Sequence, residues 1–162
     1  MAIRIGDKAP EFALYSSEKQ LIKLSDFEGR NVVLLFFPLA FTSTCTKELC
    51  STRDELDVYN ALDTEILGIS IDTLQSLARY KQDLQLNFTL LSDFNKETIR
   101  AYDVMYEEFG HNMRGVGKRA VFVIDPQGIV QYAEVLENAG NLPDFIKVQN
   151  ALRNLVPIPG NN

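Results

Sequence analysis

The stretch of sequence that decides the fold is Asn31-Val32-Val33-Leu34-Leu35-Phe36-Phe37-Pro38. Its apolar run shows no alternation with polar residues, so we expect a strand that is covered on both faces, as in a parallel sheet. The proline ends that strand because it cannot donate a backbone hydrogen bond. Residues 45–60 then carry apolar side chains among charges, with Ser43 or Thr44 available as an N-cap, and predict a helix.

Strands and helices alternate outward from this unit. Residues 64–72 predict a second buried strand, and residues 74–84 predict a helix from their apolar spacings of three and four. Residues 88–92 and 96–102 predict a shorter strand and a shorter helix. The order of strand, helix, strand, helix is typical of an α/β fold.

Hairpins are predicted on both sides of this α/β unit. Residues 11–15 and 20–24 form a candidate N-terminal β-hairpin, and residues 119–124 turn at Asp125-Pro126-Gln127-Gly128 into residues 129–135. Proline pre-sets one dihedral angle of such a turn, and glycine permits the positive one that follows. The pattern therefore predicts a thioredoxin-like α/β fold, with a central mixed β-sheet flanked by helices.

The end of the chain and its composition complete the prediction of the fold. A final amphipathic helix is expected to begin at Pro143, and residues 157–162 are expected to be frayed. The chain has 162 residues, of which 46% are hydrophobic and 23% are charged. These values fit one domain over residues 1–162, with no repeat or linker.

The charge and the N-terminus limit the possible partners and location. A net charge of -6 and a pI near 4.8 provide no electrostatic footprint for nucleic-acid phosphates or anionic lipid. Residues 1–8 lack the apolar core of a signal peptide, and no segment approaches ~18 uncharged apolar residues. We therefore expect a cytoplasmic protein that acts on small molecules or proteins. One histidine and two cysteines make no zinc-like ligand set, so no metal or cofactor is expected.

The two cysteines are Cys45 and Cys50, which are too few for a secreted disulfide scaffold and indicate redox chemistry in a reducing compartment. Cys45 falls on the first turn of the predicted helix, where unpaired amide N–H groups stabilise a thiolate, the nucleophilic form of the side chain. Thr42 can place a hydrogen bond beside the sulfur. Pro38 ends the strand without adding a competing N–H donor, so a shaped pocket around Cys45 is expected.

The pattern Pro38-x-x-x-Thr42-x-x-Cys45, after a hydrophobic strand, resembles the active-site motif of the peroxiredoxins. Residues 6–12 are similar to the start of that family, and Arg119 leads a strand as the family's arginine does. The resemblance implies a thiol-dependent peroxidase in which Cys45 attacks the peroxide and becomes a sulfenic acid. It also implies that Thr42 polarises the peroxide, that Arg119 holds both thiolate and substrate, and that Pro38 shields the site from water.

The chemistry of peroxide cleavage supports these roles independently of the resemblance. Attack on an O–O bond develops negative charge on the departing oxygen, so donors from Thr42, from the cysteine amide and from a fixed arginine would stabilise the transition state. Arg119 is preferred as that arginine, although Arg114 or Arg53 could supply the charge. Glu48, on the next helical turn, could orient an arginine or could be a solvated carboxylate.

The role of Cys50 is less constrained. A sulfenic acid benefits from a nearby thiol because further oxidation is largely irreversible, and Cys50 is the only candidate in the chain. Residues five apart on a regular helix rise ~7.5 Å and point to different sides, so a disulfide requires the helix to unwind. The spacing resembles the peroxiredoxin Q, or bacterioferritin-comigratory, subgroup, which implies thioredoxin as the reductant. Residues 36–42 are more similar to the AhpE one-cysteine subgroup, and Cys50 could also be an inert core thiol, so the subgroup stays open.

Other functions are compatible with the predicted fold. A thiol-disulfide oxidoreductase normally has Cys-x-x-Cys spacing, and four intervening residues argue against it. A redox sensor, in which oxidation of Cys45 switches a partner surface, is a third hypothesis. The sequence does not choose among peroxides or between a monomer and a homodimer. Leu39, Phe41 and Tyr106 predict an exposed apolar patch that could seat a lipid-like peroxide or another subunit.

Overall fold

A computed structural model describes residues 2–155, and the predicted frayed tail at residues 157–162 lies outside that range. Its strands are β1 (Ala13–Ser16), β2 (Leu21–Lys23), β3 (Asn31–Phe36), β4 (Thr64–Ser70), β5 (Thr89–Ser92), β6 (Ala120–Ile124) and β7 (Val130–Val135). Its helices are α1 (Ser43–Asp54), α2 (Leu56–Ala61), α3 (Leu74–Leu84), α4 (Glu97–Ala101) and α5 (Phe145–Leu155), with one 3₁₀ turn at Leu24–Phe27. Each predicted element has a counterpart in the described part of the chain, although the helix predicted over residues 45–60 is divided in two and the final helix begins at Phe145 instead of Pro143.

The strands form one seven-stranded sheet in the order β2-β1-β5-β4-β3-β6-β7. β3 pairs with β4 in parallel and with β6 antiparallel, and β1 and β2 form the predicted N-terminal hairpin. The register sets Phe36 beside Ala120. Residue 119, directly before β6, is therefore brought to the end of β3, where the chain leaves the sheet for α1.

All six residues of β3 are buried, because the strand lies inside the sheet between β4 and β6. Val33 and Leu35 belong to one hydrophobic cluster, and Val32, Leu34 and Phe36 belong to the other, because successive side chains in a strand point to opposite faces. Helices α1, α2, α3 and α5 contribute to the first cluster, and α4 contributes to the second. Both faces of the sheet are covered, as the unbroken apolar run predicts.

The helix predicted over residues 45–60 is in fact two helices, because the chain leaves helical geometry at Glu55 (φ -105°, ψ 12°). The N-cap position is occupied by Thr42, and the predicted choice of Ser43 or Thr44 is wrong. The carbonyl of Thr42 accepts the first helical hydrogen bond, from the amide of Thr46 at 3.0 Å. Its hydroxyl makes no capping bond, since it donates to the carbonyl of Leu39 at 2.8 Å.

The predicted β6–β7 hairpin is confirmed. The amide of Gly128 donates to the carbonyl of Asp125 at 2.9 Å, and Gly128 has the positive φ of 84° that the turn requires. One carboxylate oxygen of Asp125 accepts the amides of Gln127 and Ile129, each at 2.9 Å. This closed turn holds β6 in antiparallel register beside β3 and so helps to place residue 119.

Candidate active site

The site lies where β3 ends and α1 begins. Cys45 is the third residue of α1 and is fully buried, Pro38 is buried, and Thr42 is partly buried. The intervening loop is held in place by the carboxylate of Asp72, which accepts the amide of Ala40 at 2.8 Å. The short motif thus folds as a local unit, anchored to the end of β4.

Arg119 reaches this unit from the start of β6 and uses all of its nitrogens. Nη2 donates to the Cys45 sulfur at 3.2 Å, Nη1 donates to Glu48, and Nε donates to the carbonyl of Ala139 at 3.0 Å. Arg119 as a whole residue is only 1% exposed. Of the three arginines considered from the sequence, Arg119 is the one placed against the sulfur. Arg53 instead pairs with Asp54 on the helix surface.

Glu48 and Arg119 form a buried ion pair beside the sulfur. Glu48 is fully buried, so the alternative of a solvated helix carboxylate is wrong. Burial raises the pKa of Glu48 to about 7, although the charge and hydrogen bond of Arg119 oppose this shift. Burial acts to lower the pKa of Arg119, but Glu48 and Cys45 together raise it, so the guanidinium stays charged. Among the described residues, Oε1 of Glu48 has no hydrogen-bond partner.

Tyr106 is buried beside Arg119 and does not form an exposed patch. The backbone amide of Arg119 donates to the Tyr106 hydroxyl at 3.4 Å. Tyr106 is 7% exposed, and its hydroxyl donates to the carbonyl of Leu136 at 2.7 Å. The expectation of exposure is wrong because this buried hydroxyl finds a backbone acceptor and its ring stacks on Phe109. Of the three predicted patch residues, Phe41 is 57% exposed and Leu39 is partly buried.

Cys50 lies further along α1 and is partly exposed, and both cysteines are free thiols. Cys50 belongs to neither hydrophobic cluster, which disfavours an inert core thiol. No hydrogen bond links Arg119 to Cys50, since its three donor nitrogens reach Cys45, Glu48 and Ala139. The structure therefore gives the two thiols unlike surroundings on one helix.

The sequence did not indicate the residues outside the motif of residues 38–45 that bond to this motif, to Thr46 or to Arg119. Asp72 fixes the loop, the carbonyl of Ala139 fixes Nε of Arg119, and Tyr80 contacts Thr46 through its hydroxyl at 3.0 Å. Tyr80 occupies an apolar position of the α3 pattern, which is the only signal that could have indicated it. Any core tyrosine gives the same signal, so the hydrogen bond could not be predicted.

Metal-ligand clusters and membrane-spanning helices are both absent from the described residues. Among residues 2–155, no group of three or more His, Cys, Asp or Glu side chains is placed to hold a metal ion. Over the same residues, no helix combines the length and apolar character needed to cross a bilayer. The contact between Cys45 and Arg119 supports nucleophilic chemistry by a buried sulfur beside a fixed cation, which stabilises negative charge.

Comparisons with known proteins give the class of this site. The profile of the AhpC/TSA family matches residues 5–133, so the chain belongs to the AhpC/TSA family. Peroxiredoxin Bcp of Bacillus subtilis is 36% identical over 130 residues, covering 79% of this chain and 82% of that protein. Because such relatives are peroxiredoxins, the chain is an enzyme of the peroxidase class.

Solved structures agree with this class and with the thioredoxin-like fold. Peroxidoxin BcpB of Mycobacterium tuberculosis superposes with a TM-score of 0.83 at 27% identity, covering 94% of this chain and 98% of that one. A bacterioferritin comigratory protein of Xanthomonas campestris, described for its alkyl peroxide reduction activity, gives a TM-score of 0.78 at 26% identity. That match covers 90% of this chain and 92% of the other. The likeness is consistent with the Bcp, or peroxiredoxin Q, subgroup.

Proposed function

We propose that this enzyme reduces hydrogen peroxide or an organic hydroperoxide through a sulfenic acid on Cys45. The observation that carries the proposal is the contact of 3.2 Å between Nη2 of Arg119 and the Cys45 sulfur. The thiolate bonds to the terminal peroxide oxygen, and the O–O bond breaks. Sulfur is oxidised, and the departing oxyanion takes a proton from solvent to leave as water or an alcohol.

Each neighbour of Cys45 has a role in this step. The positive charge of Arg119 stabilises the Cys45 thiolate and the developing oxyanion. Glu48 fixes the orientation of the guanidinium. Thr42, at the N-cap position, donates its one hydroxyl hydrogen to the carbonyl of Leu39, so its oxygen acts on the peroxide as a hydrogen-bond acceptor that orients the O–O bond. Pro38 is buried at the end of β3 and shields the sulfur from water. These assignments agree with the similarity to peroxiredoxins.

In the second half of the proposed cycle, Cys50 is the resolving thiol. Its thiolate would attack the Cys45 sulfenic acid, forming the disulfide and releasing water. The cysteines are five residues apart on α1, a rise of ~7.5 Å, so the helix must unwind locally first. A dithiol protein such as thioredoxin would then exchange with the disulfide and return both thiols.

The decisive experiment is intact-protein mass spectrometry after one equivalent of hydrogen peroxide, with a sulfenic-acid trap present. Wild type should lose two hydrogens, and Cys50→Ser should instead carry the trap on Cys45. Trapping of Cys45 in both proteins would show a one-cysteine enzyme that uses an external thiol. No reaction in either protein would refute the proposal.

Turnover separates a peroxidase from a redox sensor. With thioredoxin, its reductase and NADPH present, the enzyme should consume many equivalents of peroxide. An alkyl hydroperoxide should serve as well as hydrogen peroxide if the likeness to the Xanthomonas protein extends to substrate. A single stoichiometric oxidation without turnover would favour the sensor.

A further inference from the structure

A chain of hydrogen bonds runs from α3 into the first turn of α1. The hydroxyl of Thr46 donates to the carbonyl of Thr42 at 2.8 Å and lies 3.0 Å from the hydroxyl of Tyr80. A threonine hydroxyl has one hydrogen, and here Thr42 receives it. Tyr80 must therefore be the donor to Thr46. The order of donation is Tyr80 to Thr46 to Thr42, and it encloses the turn that carries Cys45.

Tyr80 is rigidly held at the other end of this chain. It is 1% exposed, and its ring contacts Phe37 and Phe41 at centroid distances of 6.4 and 4.9 Å. Phe41 has a positive φ of 67°, an uncommon conformation for a residue with a side chain, and its ring edge meets Tyr80. Burial raises the pKa of Tyr80 to about 12, so the hydroxyl remains a donor at working pH.

We propose that Tyr80 is a positioning residue that holds the first turn of α1 in helical form and so delays the attack of Cys50 on the oxidised Cys45. The inference rests on the proposed function, in which the disulfide requires this helix to unwind. The hydrogen bond from Tyr80 exists only while the turn is folded. Unwinding must break it, so its free energy adds to the barrier between the sulfenic acid and the disulfide.

The proposal has two kinetic consequences of opposite sense. Removal of the hydroxyl should speed disulfide formation by roughly 2- to 10-fold, the factor that one net hydrogen bond supplies. It should also slow the first oxidation of Cys45, because the turn that carries the sulfur and Thr42 is less often in place.

The test compares Tyr80→Phe with wild type and with Tyr102→Phe. Tyr102 is a matched control, since it is also 1% exposed and its hydroxyl donates to the carbonyl of Pro10 at 2.7 Å, in the other hydrophobic cluster. Rapid quenching and mass spectrometry give the rates of sulfenic acid and disulfide formation. Tyr80→Phe should accelerate the disulfide while Tyr102→Phe leaves both rates unchanged. An unaltered or slower disulfide rate in Tyr80→Phe would overturn the proposal.

Hydrogen exchange in the reduced protein keeps the test independent of Cys50. The amides of residues 46–50 should exchange roughly 2- to 10-fold faster in Tyr80→Phe than in wild type or Tyr102→Phe. If wild type forms no disulfide, the assignment of Cys50 fails, and this exchange alone decides whether Tyr80 holds the turn. Equal exchange in all three proteins would refute that role.

The partner of Tyr80 provides a second check. Thr46→Val removes the acceptor, so the effect of Tyr80→Phe on amide exchange should largely disappear in the Thr46→Val background. Additive effects of the two substitutions would show that the Tyr80 hydroxyl does not act through Thr46 and would overturn the proposal.

Discussion

The two ends of α1 carry the two cysteines in contrasting environments. At the N-terminal end, Cys45 is fully buried, and the Arg119 guanidinium lies 3.2 Å from its sulfur. In the second half, Cys50 is partly exposed, and Arg53 on the following turn bonds to the Leu84 carbonyl at 2.6 Å and to Asp54. The difference teaches that contacts from β6 and α3, more than the helix itself, give the two thiols their different surroundings.

The ion pairs at the two ends differ in the same way. Arg119 and Glu48 have side-chain exposures of 2% and 0%, whereas Arg53 and Asp54 have 29% and 65%. Removing one partner of a buried pair typically costs about 3–5 kcal/mol, because the other charge is left uncompensated. A solvent-exposed pair contributes little. Substitutions at the N-terminal end should therefore have much the larger effects.

The largest effect is expected from Cys45→Ser. Loss of the nucleophile should reduce peroxide consumption by roughly a thousandfold or more. A coupled assay of NADPH oxidation with thioredoxin and its reductase measures this loss. Cys50→Ser is the control, and its first oxidation by peroxide should proceed at the wild-type rate. Comparable first-oxidation losses in both variants would remove the contrast between the two thiols.

Arg119→Lys should give the next largest effect. Lysine keeps the charge but lacks the planar set of donors that serves Cys45, Glu48 and Ala139 together. The rate of sulfenic acid formation should fall by roughly 100-fold. Stopped-flow mixing with hydrogen peroxide provides the rate. Arg114→Lys, at an exposed position in the 105–118 loop, should oxidise like wild type.

A fall of the same size in Arg114→Lys would point to the total charge near the site instead of to the contact. Wild-type reactivity of Arg119→Lys would show that the guanidinium geometry is unimportant. Circular dichroism of both variants separates either outcome from a loss of folding.

Glu48→Gln should change how stability depends on pH. The folded pKa of Glu48 is raised by burial to about 7, so between pH 4.5 and 7 the folded protein holds a proton that the unfolded chain has released. Stability from this group is therefore full below pH 4.5 and is lost as the pH rises through 7. Glutamine removes that loss, on the order of 1–3 kcal/mol.

Urea unfolding at pH 5.0 and pH 7.5 measures the effect. Wild type should lose more free energy of unfolding between the two values than Glu48→Gln does. Asp93, whose pKa burial also raises, is present in both proteins and contributes equally to both slopes. Parallel pH profiles would mean that the ion pair with Arg119 keeps the carboxylate ionised throughout.

The smallest effect is expected from Arg53→Gln, at the other end of the comparison. Its ion pair with Asp54 is largely exposed, so the free energy of unfolding should stay within the error of a urea titration. The rate of Cys45 oxidation should also equal that of wild type. A slower first oxidation would show that Arg53 shares the work assigned to Arg119.

Much of the fold followed from local patterns. The apolar run at residues 31–37, the turn at residues 125–128 and the amphipathic helix of residues 74–84 each depend on neighbours in sequence, and all three are observed. The break between α1 and α2 was not predicted, because the charges and apolar residues of 45–60 are compatible with one continuous helix. The position of Tyr106 was also not predicted, since its burial depends on the distant carbonyl of Leu136.

The sequence by itself determined the local grouping of Pro38, Thr42 and Cys45, because these residues lie within one loop and one helical turn, whose conformations are set by short-range sterics and hydrogen bonds. Only the tertiary structure decided what surrounds that unit. Arg119 is 74 residues from Cys45, and Tyr80 is 34 from Thr46, so their contacts exist only once the sheet has aligned β6 with β3 and packed α3 against α1. Burial then raised the pKa of Glu48, because a carboxylate loses its hydration only when the folded core surrounds it.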